Sequence, residues 1–319
     1  MAMMFTPTID ELRNFPEYVK SMEAKGAHLN GVAKIIPPQE WIPRRRFYNM
    51  NELEGMGRFD VIDQSLEPTE GRRGLYALVH KERRPQNPKE YKKIAEQKRF
   101  RKKISNPDEV EKLFWRNANT RKMVYCPDVN QSLMDHDLEE CNFQKLGTTL
   151  DLLQESGTTI AGVNTPNLYF GSWGTTTPWH CDDMDLYSIY YLHDGHAKTW
   201  YTIPPSHHQQ FESIAAALLP EEAEYCHEFL RHKLYIFDPS ILKKHKIPFE
   251  KVIQEKGEIV VFFPRCYHAG FDHGFNISEG INFASERWIP IGKRSTRCKC
   301  QESTVDIPMD IFEKKRGPE

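Results

Sequence analysis

The sequence predicts a mixed α+β fold, a β-sandwich or barrel framed by helices. Two observations carry that reading. Up to Ser156 the clearest signals are capped amphipathic segments; beyond Gly157 the chain breaks into short aromatic and β-branched runs bounded by Gly, Pro, Asp and Asn. At 319 residues, with 39% hydrophobic and 12% aromatic side chains, the chain can build a substantial core and is not of disordered composition.

In chain order, Thr8-Ile9-Asp10-Glu11 has the capping-box pattern, and residues 15–25 read as an amphipathic helix closed by Gly26. Asn106-Pro107 caps a helix carrying Val110, Leu113, Phe114 and Trp115, and residues 148–156 read as a third helix ended by Gly157. Strands are predicted over 167–171, 185–193, 197–203, 234–237, 258–263 and 280–284. Asp194-Gly195 between two of them is a hairpin signal. Phe211, Ile214, Ala215, Leu218 and Leu219 mark one helix among the strands. No internal repeat or low-complexity linker interrupts the chain.

No apolar run approaches the roughly 18 residues of a membrane span, and the N-terminus lacks a secretory core. Membrane protein, secreted disulfide knot and coiled coil are excluded. The seven Cys are then expected as reduced thiols or metal ligands. The net charge of -2 hides an asymmetry. Over residues 81–103, eleven Lys and Arg against three Glu give a local +8, leaving −10 on the rest. Such a patch can attract nucleic acid without sequence preference or act as a nuclear address; it also suits the solvated face of a lysine-rich helix.

Two clusters carry chemistry. His180-Cys181-Asp182 puts an imidazole and a carboxylate on one side of an extended backbone, because side chains alternate there. His268, beyond the strand ending near Phe263 and Pro264, is the candidate third ligand. Two His and one carboxylate on one face of a metal leave the other positions open, as in non-haem Fe(II) oxygenases. The same residues also suit a core histidine and a turn-capping Asp. His193, His196, His207, His208 and His273 compete on spacing alone and are read as surface or structural. The second cluster is Cys226, His232, Cys298 and Cys300, whose three sulfurs and one imidazole suit tetrahedral Zn(II). Unrelated buried thiols are the alternative. Cys126, Cys141, Cys181 and Cys266 read as plain core or loop thiols.

Several motifs then resemble one family. GVNTPNLYFG at Gly162–Gly171, DMDLYSI at Asp183–Ile189, KTWY at Lys198–Tyr201, YHAGF at Tyr267–Phe271 and GFN at Gly274–Asn276 together resemble a JmjC domain. GVAKIIPPQEW at Gly31–Trp41 resembles the JmjN element. Their short separation and the Cys/His cluster resemble the family-four histone lysine demethylases, covering nearly the whole chain. The resemblance implies a double-stranded β-helix, a cupin-like jelly roll, with flanking helices. It divides the chain into a JmjN element (1–45), a mixed helical connection (46–134), a JmjC domain with zinc cluster (135–301) and a tail (302–319).

The resemblance also implies roles. His180, Asp182 and His268 would hold Fe(II); Cys226, His232, Cys298 and Cys300 would hold structural Zn(II). Lys198 would pair with the distal carboxylate of the co-substrate 2-oxoglutarate, with Tyr125, Tyr190 and Trp200 beside it. Gly162, Tyr169, Gly280 and Asn282 would surround the methylammonium, and Asp128 would contact the peptide. The implied activity is oxidative removal of methyl groups from tri- and dimethyl-lysine of the histone H3 tail, releasing formaldehyde and succinate, in the nucleus on chromatin. This chain departs from the family at five positions. Asp182 stands for the usual Glu, Tyr190 for an Asn that donates to 2-oxoglutarate, Thr177 for a pocket Phe and Asn167 for a pocket Tyr. Thr177 is expected to leave room for the Tyr190 ring, and Gly280, where the family has Ser or Ala, to leave a roomier methyl pocket. A catalytically silent chromatin-binding protein and a protein hydroxylase of the same fold are the alternatives.

Overall fold

The computed structural model describes residues 2–46, 48–69, 71–97, 106–300 and 304–312. Thr8 caps the helix Ile9–Arg13 reciprocally: its hydroxyl accepts from the Glu11 N–H and the Glu11 carboxylate accepts from its own N–H. Two donors that the first helical turn leaves over are thereby satisfied. The next helix, Phe15–Ala24, stops before Gly26, whose φ of +89° belongs to the left-handed region. It buries Phe15, Tyr18, Val19 and Met22 on one face. Asn106 accepts from the Asp108 N–H and starts the helix Pro107–Arg116. Of the helix predicted over 148–156, only Asp151–Glu155 forms.

The front of the chain also contributes strands that its composition hides. They are β1 (Met3–Phe5), β2 (Val32–Ile35), β3 (Phe59–Pro68), β4 (Leu75–Gln86) and β5 (Lys122–Val129). The second half of β4 is charged and largely exposed, so it lacks the alternation by which a strand is recognised. Lys81, Arg83 and Arg84 therefore lie on a strand, while Lys89, Lys92 and Lys93 lie on the helix Pro88–Ala95. The single lysine-rich helix offered for this segment is corrected to that extent; its residues 98–103 lie outside the described ones.

Then follow β6 (Asn167–Gly171), β7 (Thr176–His180), β8 (Tyr187–Gly195), β9 (Lys198–Ile203) and β10 (Tyr235–Phe237). The series closes with β11 (Glu250–Gln254), β12 (Ile259–Phe262), β13 (Tyr267–Asp272) and β14 (Asn276–Phe283). Ten strands form one sheet in the order β1-β2-β12-β8-β14-β6-β5-β3-β4-β10, and four form a second, β11-β9-β13-β7. The inner run β12-β8-β14-β6 and the second sheet are the two layers of a jelly roll.

This topology overturns the Asp194-Gly195 hairpin. β8 pairs with β12 and β14, whereas β9 pairs with β11 and β13. The turn carries the chain from one sheet to the other. Gly195 has φ +97°, and a Cβ there would lie 2.2 Å from the Phe275 carbonyl oxygen. An Asp-Gly pair reports the positive φ and not the pairing of its flanks.

The N-terminal segment belongs to the core sheet. β1 runs parallel to β2, and β2 pairs antiparallel with β12. Lys34 on β2 meets Glu258 at 2.6 Å, and the Trp41 indole N–H donates to the Glu140 carbonyl. One apolar cluster joins Phe5, Leu12, Phe15 and Met22 to Ile189, Ile259, Phe283 and Trp288, so helices and jelly roll share a core.

Candidate functional site

His180 ends β7 and lies opposite His268 of β13 across the ladder. Asp182 follows in an extended conformation (φ −59°, ψ 153°), so its side chain falls on the side of His180, as alternation predicts. One ligand atom from each of His180, Asp182 and His268 lies within 4.8 Å of the others, and all three residues are buried. His180 Nδ1 is 2.8 Å from the Pro178 carbonyl, and His268 Nδ1 is 3.1 Å from that of Cys266. A carbonyl can only accept, so each Nδ1 carries the proton and each Nε2 keeps its lone pair. His268 Nε2 is buried with no hydrogen-bond partner. Burial, then the neighbouring His268, holds His180 well below the usual imidazole range; burial also lowers His268. Both rings are therefore neutral, the form that binds metals. Asp182 is held at both oxygens: Asn282 Nδ2 donates to Oδ1 at 2.9 Å and the Ser188 hydroxyl to Oδ2 at 2.7 Å.

Beside this triad opens a cavity of about 280 Å³ lined by Tyr125, Tyr169, Thr177, Tyr190, Lys198 and Trp200, with His180 at its wall. Register explains the lining. Asp272 faces Lys198, Gly270 faces Trp200 and His268 faces Thr202 across β13 and β9, and alternation puts these residues on one face. The Trp200 indole N–H donates to the Gln254 side chain at 2.9 Å, and its ring lies 5.5 Å from Tyr190. Lys198 Nζ is 2.6 Å from Asp272 Oδ1, with both side chains nearly buried. Asp128 and Lys233 complete the mouth.

The four atoms of the second cluster also converge within 4.8 Å. Cys298 Sγ is 2.9 Å from Cys300 Sγ and 3.2 Å from His232 Nε2, and 3.7 Å separates it from Cys226 Sγ. Cys226 follows the helix Pro220–Tyr225, His232 ends the 3₁₀ turn Phe229–His232, and the other two lie beyond the last strand, after Gly292. Cys126, Cys141, Cys181 and Cys266 are buried free thiols, as expected.

A JmjC (hydroxylase) domain match covers residues 167–283, which hold both His and the Asp of the triad, and a jmjN domain match covers residues 3–37. The chain is a JmjN–JmjC protein. It is 42% identical over 99% of its length to lysine-specific demethylase 4B of Mus musculus, and equally so to lysine-specific demethylase 4D of Rattus norvegicus. It spans 29% of the former's length and 61% of the latter's.

The residues expected around a methylammonium and a peptide divide. Tyr169 and Asp128 line the cavity. Asn282 meets Asp182. Gly162 (φ +75°) faces Asn167, whose Nδ2 would lie 2.7 Å from a Cβ at that position and is itself 3.3 Å from Asp128 Oδ1. The room expected at Gly280 is corrected: a Cβ there would lie 2.4 Å from the Tyr190 ring. The bulky phenol fills the space that the missing side chain leaves. Gly280 opposes Tyr190 in the β14–β8 ladder. Thr177 lines the same cavity as Tyr190. Sequence reasoning missed Ser188, Lys233 and Asp272. Ser188 sits inside a quoted motif, but only the fold brings its hydroxyl to Asp182. Asp272 could be found only as an acid four residues beyond His268 on the same strand.

Proposed function

We propose that this chain is an Fe(II)- and 2-oxoglutarate-dependent demethylase of methylated lysine in the histone H3 tail, working on chromatin in the nucleus. The observation that supports it is the buried triad whose Nε2 lone pairs and held carboxylate converge at the wall of a cavity. The residues fit an iron of this kind. An orphaned buried imidazole nitrogen is costly without a partner, and two neutral imidazoles with one carboxylate suit Fe(II) while leaving positions open. Iron with 2-oxoglutarate supplies the oxidation of an N-methyl carbon by dioxygen, which needs no lone pair on nitrogen.

This chain's own residues then bind and orient. Asn282 and Ser188 fix both Asp182 oxygens, so the carboxylate presents one orientation to the metal. Lys198, which lines the same cavity as Tyr125, is the cation for the distal carboxylate of 2-oxoglutarate. Trp200 and Tyr190 wall that side and keep water out. Tyr169 offers ring and hydroxyl to a methylammonium, and Asp128 the carboxylate for a peptide. Cys226, His232, Cys298 and Cys300 would fill all four positions of a structural Zn(II). The basic strand and helix between Lys81 and Lys93 could add non-specific nucleic-acid contact.

The reading is tested by mass spectrometry of mono-, di- and trimethyl H3 peptides incubated with protein, iron, ascorbate and 2-oxoglutarate. Trimethyl and dimethyl peptides are expected to lose methyl groups and monomethyl peptide to react poorly. Removal from monomethyl-lysine with trimethyl-lysine ignored would contradict the pocket assignment.

A further inference from the structure

We propose that Asp272, buried behind the co-substrate pocket and paired with Lys198 of its lining, is a specificity-determining competitor: it occupies Lys198, and the distal carboxylate of the 2-oxo acid must share or displace that ion pair. The inference rests on the proposed 2-oxoglutarate chemistry and concerns how this chain tunes it.

Strand register imposes the pairing. Asp272 and Lys198 are direct partners across β13 and β9, four residues along the same strand face from His268. At about 3.3 Å per residue the metal end and this end lie roughly 13 Å apart along the strand, a gap the long lysine side chain shortens. Lys198 is thus the ammonium at the far end of the cavity, already 2.6 Å from a carboxylate oxygen.

The carboxylate is accommodated deliberately by the fold. A Cβ on Gly171 would lie 1.9 Å from Asp272 Oδ2, so only glycine there leaves room for it. Asp272 Oδ2 is buried and has no hydrogen-bond partner. Lys198 is the cation that balances the carboxylate, and the Asn276 side chain lies beside it. An entering dicarboxylate meets an ammonium whose charge is already balanced, beside a second anion. Two carboxylates contending for one buried cation bind it less well than one alone. Tyr190, set into the space at Gly280, narrows the same pocket.

Direct binding under anaerobic conditions tests this without turnover. Isothermal titration of Fe(II)-loaded protein, together with the absorbance of the iron–2-oxo-acid complex, is measured for wild type, Asp272→Asn and Asp272→Ser. Each ligand is run in parallel: 2-oxoglutarate and 2-oxopentanoate, which has the same chain length but no distal carboxylate. Both variants should bind 2-oxoglutarate on the order of tenfold more tightly than wild type, with 2-oxopentanoate affinity changed little. The second variant guards against misfolding of the first. Equal or weaker 2-oxoglutarate binding in a folded variant overturns the proposal, as does equal tightening for both ligands, which a loosened pocket would give. If wild-type protein and both variants bind neither 2-oxo acid, the co-substrate reading itself fails and the proposal falls with it. If Lys198→Met loses 2-oxoglutarate binding while Asp272 variants leave it unchanged, the co-substrate reading survives and only the competitor role is refuted.

Discussion

Asp182 illustrates how little of a side chain's role its sequence neighbours determine. The His-x-Asp spacing made it legible as a ligand, yet the two donors that hold it come from β8 and β14, six and one hundred residues away. Ser188→Ala removes one donor and frees the carboxylate to rotate. Outer hydrogen bonds of this type are worth roughly ten- to a hundredfold in metal affinity. Fe(II) or Mn(II) titration should show a loss in that range with unfolding temperature nearly unchanged; unaltered affinity would mean that Ser188 does not orient Asp182. Gly280 and Tyr190 make a second pair. Gly280→Ala puts a Cβ into the Tyr190 ring, and overpacking of this sort costs about 1–3 kcal/mol. Tyr190→Asn vacates the space, so the double variant should recover most of the loss in denaturant titrations. Additive effects in that cycle would mean that the two positions are not coupled.

Turns and clusters tie elements together across the chain, and there the sequence was legible unevenly. Caps act locally, so Thr8, Gly26 and Asn106 could be read from three or four neighbouring residues. Strand pairing is not local, and Asp194-Gly195 looked like a hairpin although its flanks join different sheets. Gly195→Ala should destabilise by more than an ordinary glycine replacement, because φ +97° and the Phe275 carbonyl both oppose a Cβ. A loss above about 1 kcal/mol is expected on chemical denaturation; a neutral result would mean that the turn relaxes freely. The Cys/His cluster joins the segment after Tyr225 to the segment around Cys298 and Cys300, beyond the JmjC match. Cys298→Ser should reduce bound zinc and lower the unfolding temperature, since structural metal binding is linked to folding free energy. Protein that retains full zinc and full stability would refute the structural-zinc assignment.

Taken as one body, the chain extends a jelly roll sideways: β1 and β2 add to one edge through β12, and β5, β3, β4 and β10 to the other through β6. Motif resemblance made the jelly roll and its ligands legible, because ligand chemistry restricts residue type at a few strand ends. The edge strands escaped because nothing but burial restricts them, and β4 is mostly exposed. The N-terminal segment shares a core with the JmjC half, so the two form a single folded unit, with the proposed chemistry at the β7–β13 strand ends. In the proposed function the triad couples 2-oxoglutarate consumption to demethylation. The most direct test measures formaldehyde and succinate together with methyl loss from trimethyl-lysine H3 peptide, for wild type and His180→Ala. Wild type should form both products in equal amounts, matched to methyl groups removed, and His180→Ala should form neither. Succinate accompanied by oxygen retained on an otherwise intact peptide, or no succinate from iron-loaded wild type, would contradict it.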